Sequence, residues 1–530
     1  MPAPRTAPNP VLPGFHPDPS ICRAGDDYYL ACSSFEYVPG VPIFHSRDLV
    51  TWRQVGNALD RPEQLRLAPD LPASRGVYAP TIRHHDGLFH LTTTDVTGPG
   101  RTAGHLIVTA TDPAGPWSDP VRVDLPGVDP DLAWDADGAC WFTFSGIRTA
   151  RIDAATGAVL DGPWPQWSGT GLQYPEAPHL FRLDDGWGLL VSEGGTHTGH
   201  AVSFAKGPTP RGPFTPAPHN PLLSHRSTDR PVQATGHADL VEAADGTWWM
   251  VVLGIRQRGG WPRFHVLGRE TFLAPVRWED GWPVVDPVGT TVAVPGFAAA
   301  PAGPAAGPPA GPPAGPPAVG EAFRDDFDGD RLDPGWLSVR SRPASSWSLT
   351  ERPGALTLHA AGDSLDRPGA TFLGRRQLHH DCRATVQVDA GTARCGLAVR
   401  LDEAHHGEVQ VDGGRVQVIV RLGPVSAVLA DRPVPAPGPL TVAVRIRTHD
   451  LLPASAVTTG EAAAGLEADG PDVLSFELDT DGGTVVLAEF DGRHLSTEAA
   501  GGFTGRVIGP YVTAGSATFT RFTYTPAPSP

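Results

Sequence analysis

The chain has 530 residues, 40% of them hydrophobic, with 14 Trp and 20 Phe. It can fill packed interiors and is too long for one ordinary core. A formal charge of −17 repels polyanions, which excludes nucleic acid and anionic membrane as natural partners and suits a soluble protein meeting a neutral ligand. The 62 Gly and 58 Pro favour short strands and tight turns over long helices. Five cysteines (22, 32, 140, 382 and 395) are odd in number and lack the spacing of a metal site, so a reducing compartment is expected. The opening MPAPRTAPNPVLPGF carries no apolar signal-peptide core, and no apolar stretch reaches spanning length. A cytoplasmic location is expected.

From residue 8 to residue 295 one pattern recurs five times, an acidic or Gly turn followed by an aromatic-rich strand. The instances are GDDYYLAC at Gly25, HDGLFHLT at His85, ADGACWFTF at Ala136, DDGWGLLVS at Asp184 and ADGTWWMVV at Ala244. Asp-Gly between β-rich runs signals a hairpin, because both residues tolerate the positive φ of a type I′ turn. The turns lie 48 to 60 residues apart, room for a four-stranded sheet each. Five such units predict a five-bladed β-propeller.

Counting back from each turn locates a set of polar residues. Eight residues before Asp26, Asp86, Asp137 and Asp245 lie Asp18, Tyr78, Asp129 and His237; nine before Asp185 lies Glu176. Equivalent positions on the innermost strands of a propeller converge on its axis, so these five residues are expected around one pocket. Carboxylates gathered there cannot all ionise freely, and the site then holds a protonated acid beside an ionised base. Hydrolysis of an acetal needs that combination. Taken singly, each acidic residue beside proline also reads as a solvated turn.

Residues 296–320 (AAAPAGPAAGPPAGPPAGPPAVG within them) form a Pro/Gly/Ala linker unable to bury a core. Residues 321–527 alternate apolar and polar side chains in short strands such as CRATVQVDA and GRVQVIVRL, predicting an antiparallel β-sandwich. Its opening run holds Asp325, Asp326 and Asp328, which read either as a structural Ca²⁺ site or as a solvated turn.

NPVLPGFHPDPSI, GVDPDLAWDADG, YPEAPHLF, SEGG, TGHADLVE and LGRETF together resemble glycoside hydrolase family 43, in particular its two-domain β-xylosidase and α-L-arabinofuranosidase branch. The resemblance covers nearly the whole chain and implies a propeller followed by a concanavalin-like sandwich. It implies Asp18 as general base, Glu176 as general acid and Asp129 as the carboxylate that tunes and orients the acid. Arg269 matches an arginine that binds substrate near the acid, and Phe35 an aromatic lining the sugar pocket. Phe503 in GGFTGRVIG matches a sandwich residue that reaches the propeller's pocket, and equally reads as sandwich core. His237 matches a residue that binds water or an axial Ca²⁺ in some relatives, and equally reads as structural. His16 and Tyr78 depart from the family's usual Asn and Trp beside the pocket, which bears on sugar preference. Glu193 and the histidines of GGTHTGH read either as pocket border or as solvated loop.

The expectation is an inverting exo-glycosidase that releases terminal D-xylose from β-1,4-xylo-oligosaccharides without a required cofactor. An α-L-arabinofuranosidase, or dual activity, is the alternative within the same chemistry; a non-catalytic carbohydrate-binding protein is the alternative outside it. The sequence leaves monomer and homo-oligomer equally open.

Overall fold

Glycine and β-rich runs set the architecture from the N-terminus onward. The computed structural model describes residues 5–97, 104–294, 318–434, 438–448 and 470–527; most of the linker anticipated at 296–320 lies outside these. Five four- or five-stranded antiparallel sheets follow one another in the first part, built from strands in chain order except that Tyr37–Val38 is left out of the first. These are the blades of the propeller. Their innermost strands are Ser20–Ala24, Thr81–His85, Asp131–Trp134, Glu176–Leu183 and Gln233–Glu242, each paired with the next strand through the turn read from the sequence. At Asp86-Gly87 both φ angles are positive (50° and 75°), the geometry of a type I′ turn.

The ring is closed by its ends. Arg5–Pro8 pairs with Thr291–Val294, and Leu12 bridges to Thr271 of the fifth blade. Val11, Leu12, Trp249, Leu273 and Val292 share one core with Ile21 and Leu30 of the first blade. Apolar burial therefore seals the seam without a strand exchanged between blades.

The second part is a two-sheet sandwich. One sheet centres on Cys382–Asp389, Leu440–Thr448 and Ser516–Pro526, the other on Arg394–Asp402, His405–Asp412 and Val507–Ala514. The alternation of CRATVQVD reads directly as alternating buried and half-buried positions along its strand, the pattern of a sheet with one face in the core. Val386, Leu397, Val418, Val444 and Phe476 interdigitate there. The whole is all-β, with helix confined to single short turns among the described residues. No helix among them is long and apolar enough to cross a membrane. All five cysteines are buried and free of disulfides.

The sandwich is stitched to the propeller beside the axis. Ser338–Val339 pairs with Tyr37–Val38, and the Arg506 N–H donates to the Val266 carbonyl at 3.2 Å. Gly505 permits this approach, since a Cβ there would strike the Leu267 carbonyl.

Candidate active site

Backbone conformation aims the site residues inward. Asp18, Asp129, Ala177 and His237 all hold left-handed φ, at 55°, 56°, 47° and 45°, and all four lie eight residues before their blade's turn. Non-glycine residues take this region rarely, and such strain concentrates at functional sites. The fourth-blade residue in this phase is thus Ala177, and Glu176 sits one position upstream. A register shift between Glu176 and His179 carries the offset that the count of nine had flagged. In consequence the Ala177 N–H donates to Oδ2 of Asp129 at 3.2 Å, tying Asp129 to the peptide that follows Glu176.

Asp18 is buried and doubly held. Its Oδ1 accepts from Arg269 at 3.0 Å and its Oδ2 from the Ser33 hydroxyl at 2.6 Å, while Nδ1 of His237 lies 3.5 Å from Oδ1. Burial alone would raise its pKa, but Arg269 and His237 more than offset this and hold the carboxyl below its ordinary value. Asp129 goes the other way. Burial, then the charges of Glu176 and Asp18, push it well above the usual carboxylate range. Glu176 is opposed by burial too, yet His200, whose Nε2 is 3.2 Å from Oε1, leaves it below its ordinary value.

The expected acid and its expected modulator thus divide their proton in the direction opposite to that implied by the family roles. Burial and the neighbouring carboxylates raise Asp129 against the Ala177 N–H and Arg269, whereas His200 keeps Glu176 low.

Aromatic side chains wall the cleft. The Phe35 ring stacks on Phe503 of the sandwich at 5.6 Å, and Tyr78 meets Phe35 at 5.4 Å and Phe503 edge-on at 6.3 Å. The Arg269 guanidinium lies 5.1 Å from the centre of the Phe503 ring and 5.7 Å from that of Phe35, a cation–π arrangement that orients it towards Asp18. Phe503 therefore reaches into the propeller's pocket. Beyond Arg269 and Phe503 opens a cavity of about 920 Å³ lined by Thr196, Gln257, Trp261, Arg263 and Glu498 among others; the Trp261 side chain is almost fully exposed.

A second layer of charge lies beneath the first. Arg83 of the second blade reaches Asp131 and Asp239 at 2.7 Å each, His179 at 3.0 Å and the Ser20 hydroxyl at 3.3 Å. One guanidinium thus joins residues from all five blades. Asp239 is opposed by burial but held down to about 2, chiefly by Arg83.

Several expectations are corrected by these contacts. His16 packs edge-on against Phe44 and lies 2.9 Å from the Pro13 carbonyl through Nδ1, contacts within the propeller and not with the carboxylates. Glu193 is fully buried and accepts from the Thr170 N–H and hydroxyl, bracing a loop. At His237, the candidate for an axial Ca²⁺, the ring nitrogen Nδ1 faces Oδ1 of Asp18 at 3.5 Å, and Arg83 lies among Asp131 and Asp239. In the sandwich, Asp325 accepts from the Trp336 indole and the Phe327 N–H, and Asp326 pairs with Arg324. No group of three or more His, Cys, Asp or Glu side chains among the described residues could hold a metal. Arg83 is not distinguishable in the sequence, and His200 reads only as pocket border or solvated loop. His200 is one of two histidines in GGTHTGH, and Arg83 stands in an unremarkable TIRHH strand.

Comparison with known proteins agrees with this geometry. Residues 7–283 match the family described as glycosyl hydrolases family 43, and residues 324–525 match the β-xylosidase C-terminal concanavalin A-like domain. A non-reducing end α-L-arabinofuranosidase of Bacteroides ovatus is 37% identical, covering 96% of this chain and 92% of its own. A xylosidase/arabinosidase of Butyrivibrio fibrisolvens is 35% identical, with 96% of each chain covered. The crystal structure of a xylan β-1,4-xylosidase from Bacillus halodurans superposes with a TM-score of 0.83 at 30% identity, covering 98% of this chain and all of that one. With its propeller, its sandwich and its ring of carboxylates, the chain belongs to glycoside hydrolase family 43.

Proposed function

We propose that this hydrolase is an exo-acting, inverting β-xylosidase that removes terminal D-xylose from β-1,4-xylo-oligosaccharides. The observation that carries the reading is the pairing of one carboxylate, Asp18, held low by Arg269 with a second, Glu176, beside Asp129, whose carboxyl pKa is raised by burial and like charge. Asp18 removes a proton from water as the water oxygen attacks the anomeric carbon from the face opposite the leaving group. The glycosidic C–O bond breaks, and its oxygen takes the proton of Glu176. Asp129 shares one proton with Glu176; a sugar that excludes water from the cleft adds to the desolvation of Glu176 and favours the proton there. Acid, base and water suffice for this reaction, so no cofactor is invoked.

Exo action rests on Phe503, which with Phe35 and Tyr78 closes one end of the cleft, while the cavity beside Trp261 gives the rest of a short oligosaccharide room. The relative named as an α-L-arabinofuranosidase favours a second reading, release of α-L-arabinofuranose from arabinoxylan fragments, by the same residues. A cytoplasmic setting suits five unbridged cysteines and small imported substrates.

Assays with xylobiose and with an arabinofuranosyl-substituted xylo-oligosaccharide, on wild type and Glu176→Ala, test the reading. Wild-type turnover of xylobiose lost in the variant is expected. Turnover of only the arabinofuranosyl substrate moves the assignment to the second reading. Equal activity in both proteins removes Glu176 from the acid role, and no turnover of any glycoside leaves a binding protein.

A further inference from the structure

His200 is set against the acid with unusual care for a residue in a Gly-rich loop. Its side chain is fully buried, whereas that of Glu176 is 24% exposed. The loop returns from the Ser192–Glu193 strand end through Gly194 and Gly195, and the His200 N–H donates to the His197 carbonyl at 3.0 Å. The imidazole then lies flat on the backbone of the fifth blade's innermost strand. A Cβ at Gly236 would collide with the ring, so the ring occupies the space a side chain would take. Gly236 neighbours His237, whose own N–H is fixed by the Ser192 hydroxyl at 2.6 Å. The ring is thus packed against this backbone on one face and buried from solvent.

Its polar atoms tell what it is for. Neither ring nitrogen makes a hydrogen bond within the described protein, and Oε1 of Glu176, 3.2 Å from Nε2, is the polar atom set against the ring. A buried imidazole with one polar contact costs free energy unless that contact is useful. The groups facing Glu176 are His200 from its own blade, His237 from the fifth, Asp129 from the third and Asp18 from the first. Of these, His200 makes the closest recorded approach to the acid's oxygens.

We propose that His200 is the positioning residue of the acid: a small turn of either side chain from the 3.2 Å contact lets its Nε2–H donate to Oε1 of Glu176, so that Oε2 is the oxygen that carries the transferable proton. When that proton passes to the leaving oxygen, the same N–H stabilises the carboxylate left behind; His200 itself transfers nothing. The role rests on the assignment of Glu176 as the acid. It also accounts for why Glu176 is held low while Asp129 beside it is raised. The acid is poised low by His200 and is driven to its protonated form only when sugar displaces water. Such a device ties acid strength to occupancy of the site.

The test compares wild type, Glu176→Gln, His200→Ala and His200→Gln on two substrates: a disaccharide, and the glycosyl fluoride of whichever sugar the wild type releases. Fluoride departs with little help from an acid. On the disaccharide, His200→Ala is expected to lose on the order of 10²-fold in kcat, within the usual range for acid catalysis. On the fluoride it is expected to stay within about 3-fold. Because His200 lowers the acid's pKa, its removal is expected to move the alkaline limb of kcat/KM to higher pH. The glutamine variant, which keeps an N–H near the Nε2 position, is expected to recover part of the disaccharide rate. Equal losses on both substrates, or an unmoved alkaline limb, would overturn the proposal and leave His200 a packing residue. If His200→Ala does not fold, the same two readouts on His200→Gln decide, with a smaller disaccharide-selective loss expected. If Glu176→Gln itself shows no disaccharide-selective loss, the acid assignment fails first, and the result is told apart by that control.

Discussion

Two layers of charge are stacked along the propeller axis, and three blades contribute to both with residues two positions apart: Asp18 and Ser20, Asp129 and Asp131, His237 and Asp239. The lower layer is compensated at its centre, where Arg83 touches Asp131, Asp239, His179 and Ser20. In the upper layer Arg269 bonds to Asp18, while burial and the charge of Glu176 keep Asp129 raised. Similar residues on the same strands therefore become a structural hub in one layer and an acid–base set in the other. What separates them is where the single guanidinium sits.

Breaking the upper layer gives the largest expected effect. Glu176→Gln and Asp18→Asn are each expected to lower kcat on a disaccharide by on the order of 10²–10⁴-fold, with the melting temperature of Glu176→Gln little changed. Breaking the lower layer reverses the pattern. Arg83→Met leaves two buried carboxylates without their cation, and removing one partner of a buried pair costs about 3–5 kcal/mol; denaturant titration is expected to show that loss. A stability loss in Glu176→Gln matching that of Arg83→Met would erase the distinction between the layers.

Arg269→Met sharpens it further. Asp18 is kept below its ordinary pKa mainly by this guanidinium, and the base works only when ionised. Activity is present above its pKa and lost as pH falls through it. Removing the arginine raises that pKa, so the acidic limb of kcat/KM is expected to move to higher pH. Smaller again is Phe503→Ala, which opens the closed end of the cleft. Aromatic contacts of this kind are worth about 0.5–1.5 kcal/mol, so KM for a disaccharide is expected to rise by roughly 2- to 12-fold.

Much of this was legible in the sequence because it depends on turns. The repeated Asp-Gly signals placed five hairpins, and the hairpins placed Asp18, Asp129 and His237 in one phase. The count of nine at Glu176 marked a real irregularity, although only the backbone shows that Ala177 holds the phase and that its N–H serves Asp129. Phe503 was readable as either core or cleft, because a sandwich residue's reach depends on how the two domains meet. That meeting is set by the close approach of Gly505 to Leu267. Arg83 carried no local signal, and His200 only the open reading of GGTHTGH as pocket border or solvated loop. A histidine in a Gly-rich loop and an arginine in a polar strand acquire meaning only from partners in other strands and blades.

The central claim is that Asp18 activates water on one face while Glu176 protonates the leaving oxygen on the other. Proton NMR of a β-xyloside digest, recorded before mutarotation, tests it most directly. The account predicts α-xylose as the first-formed product; β-xylose appearing first would contradict it and make one of these carboxylates a nucleophile.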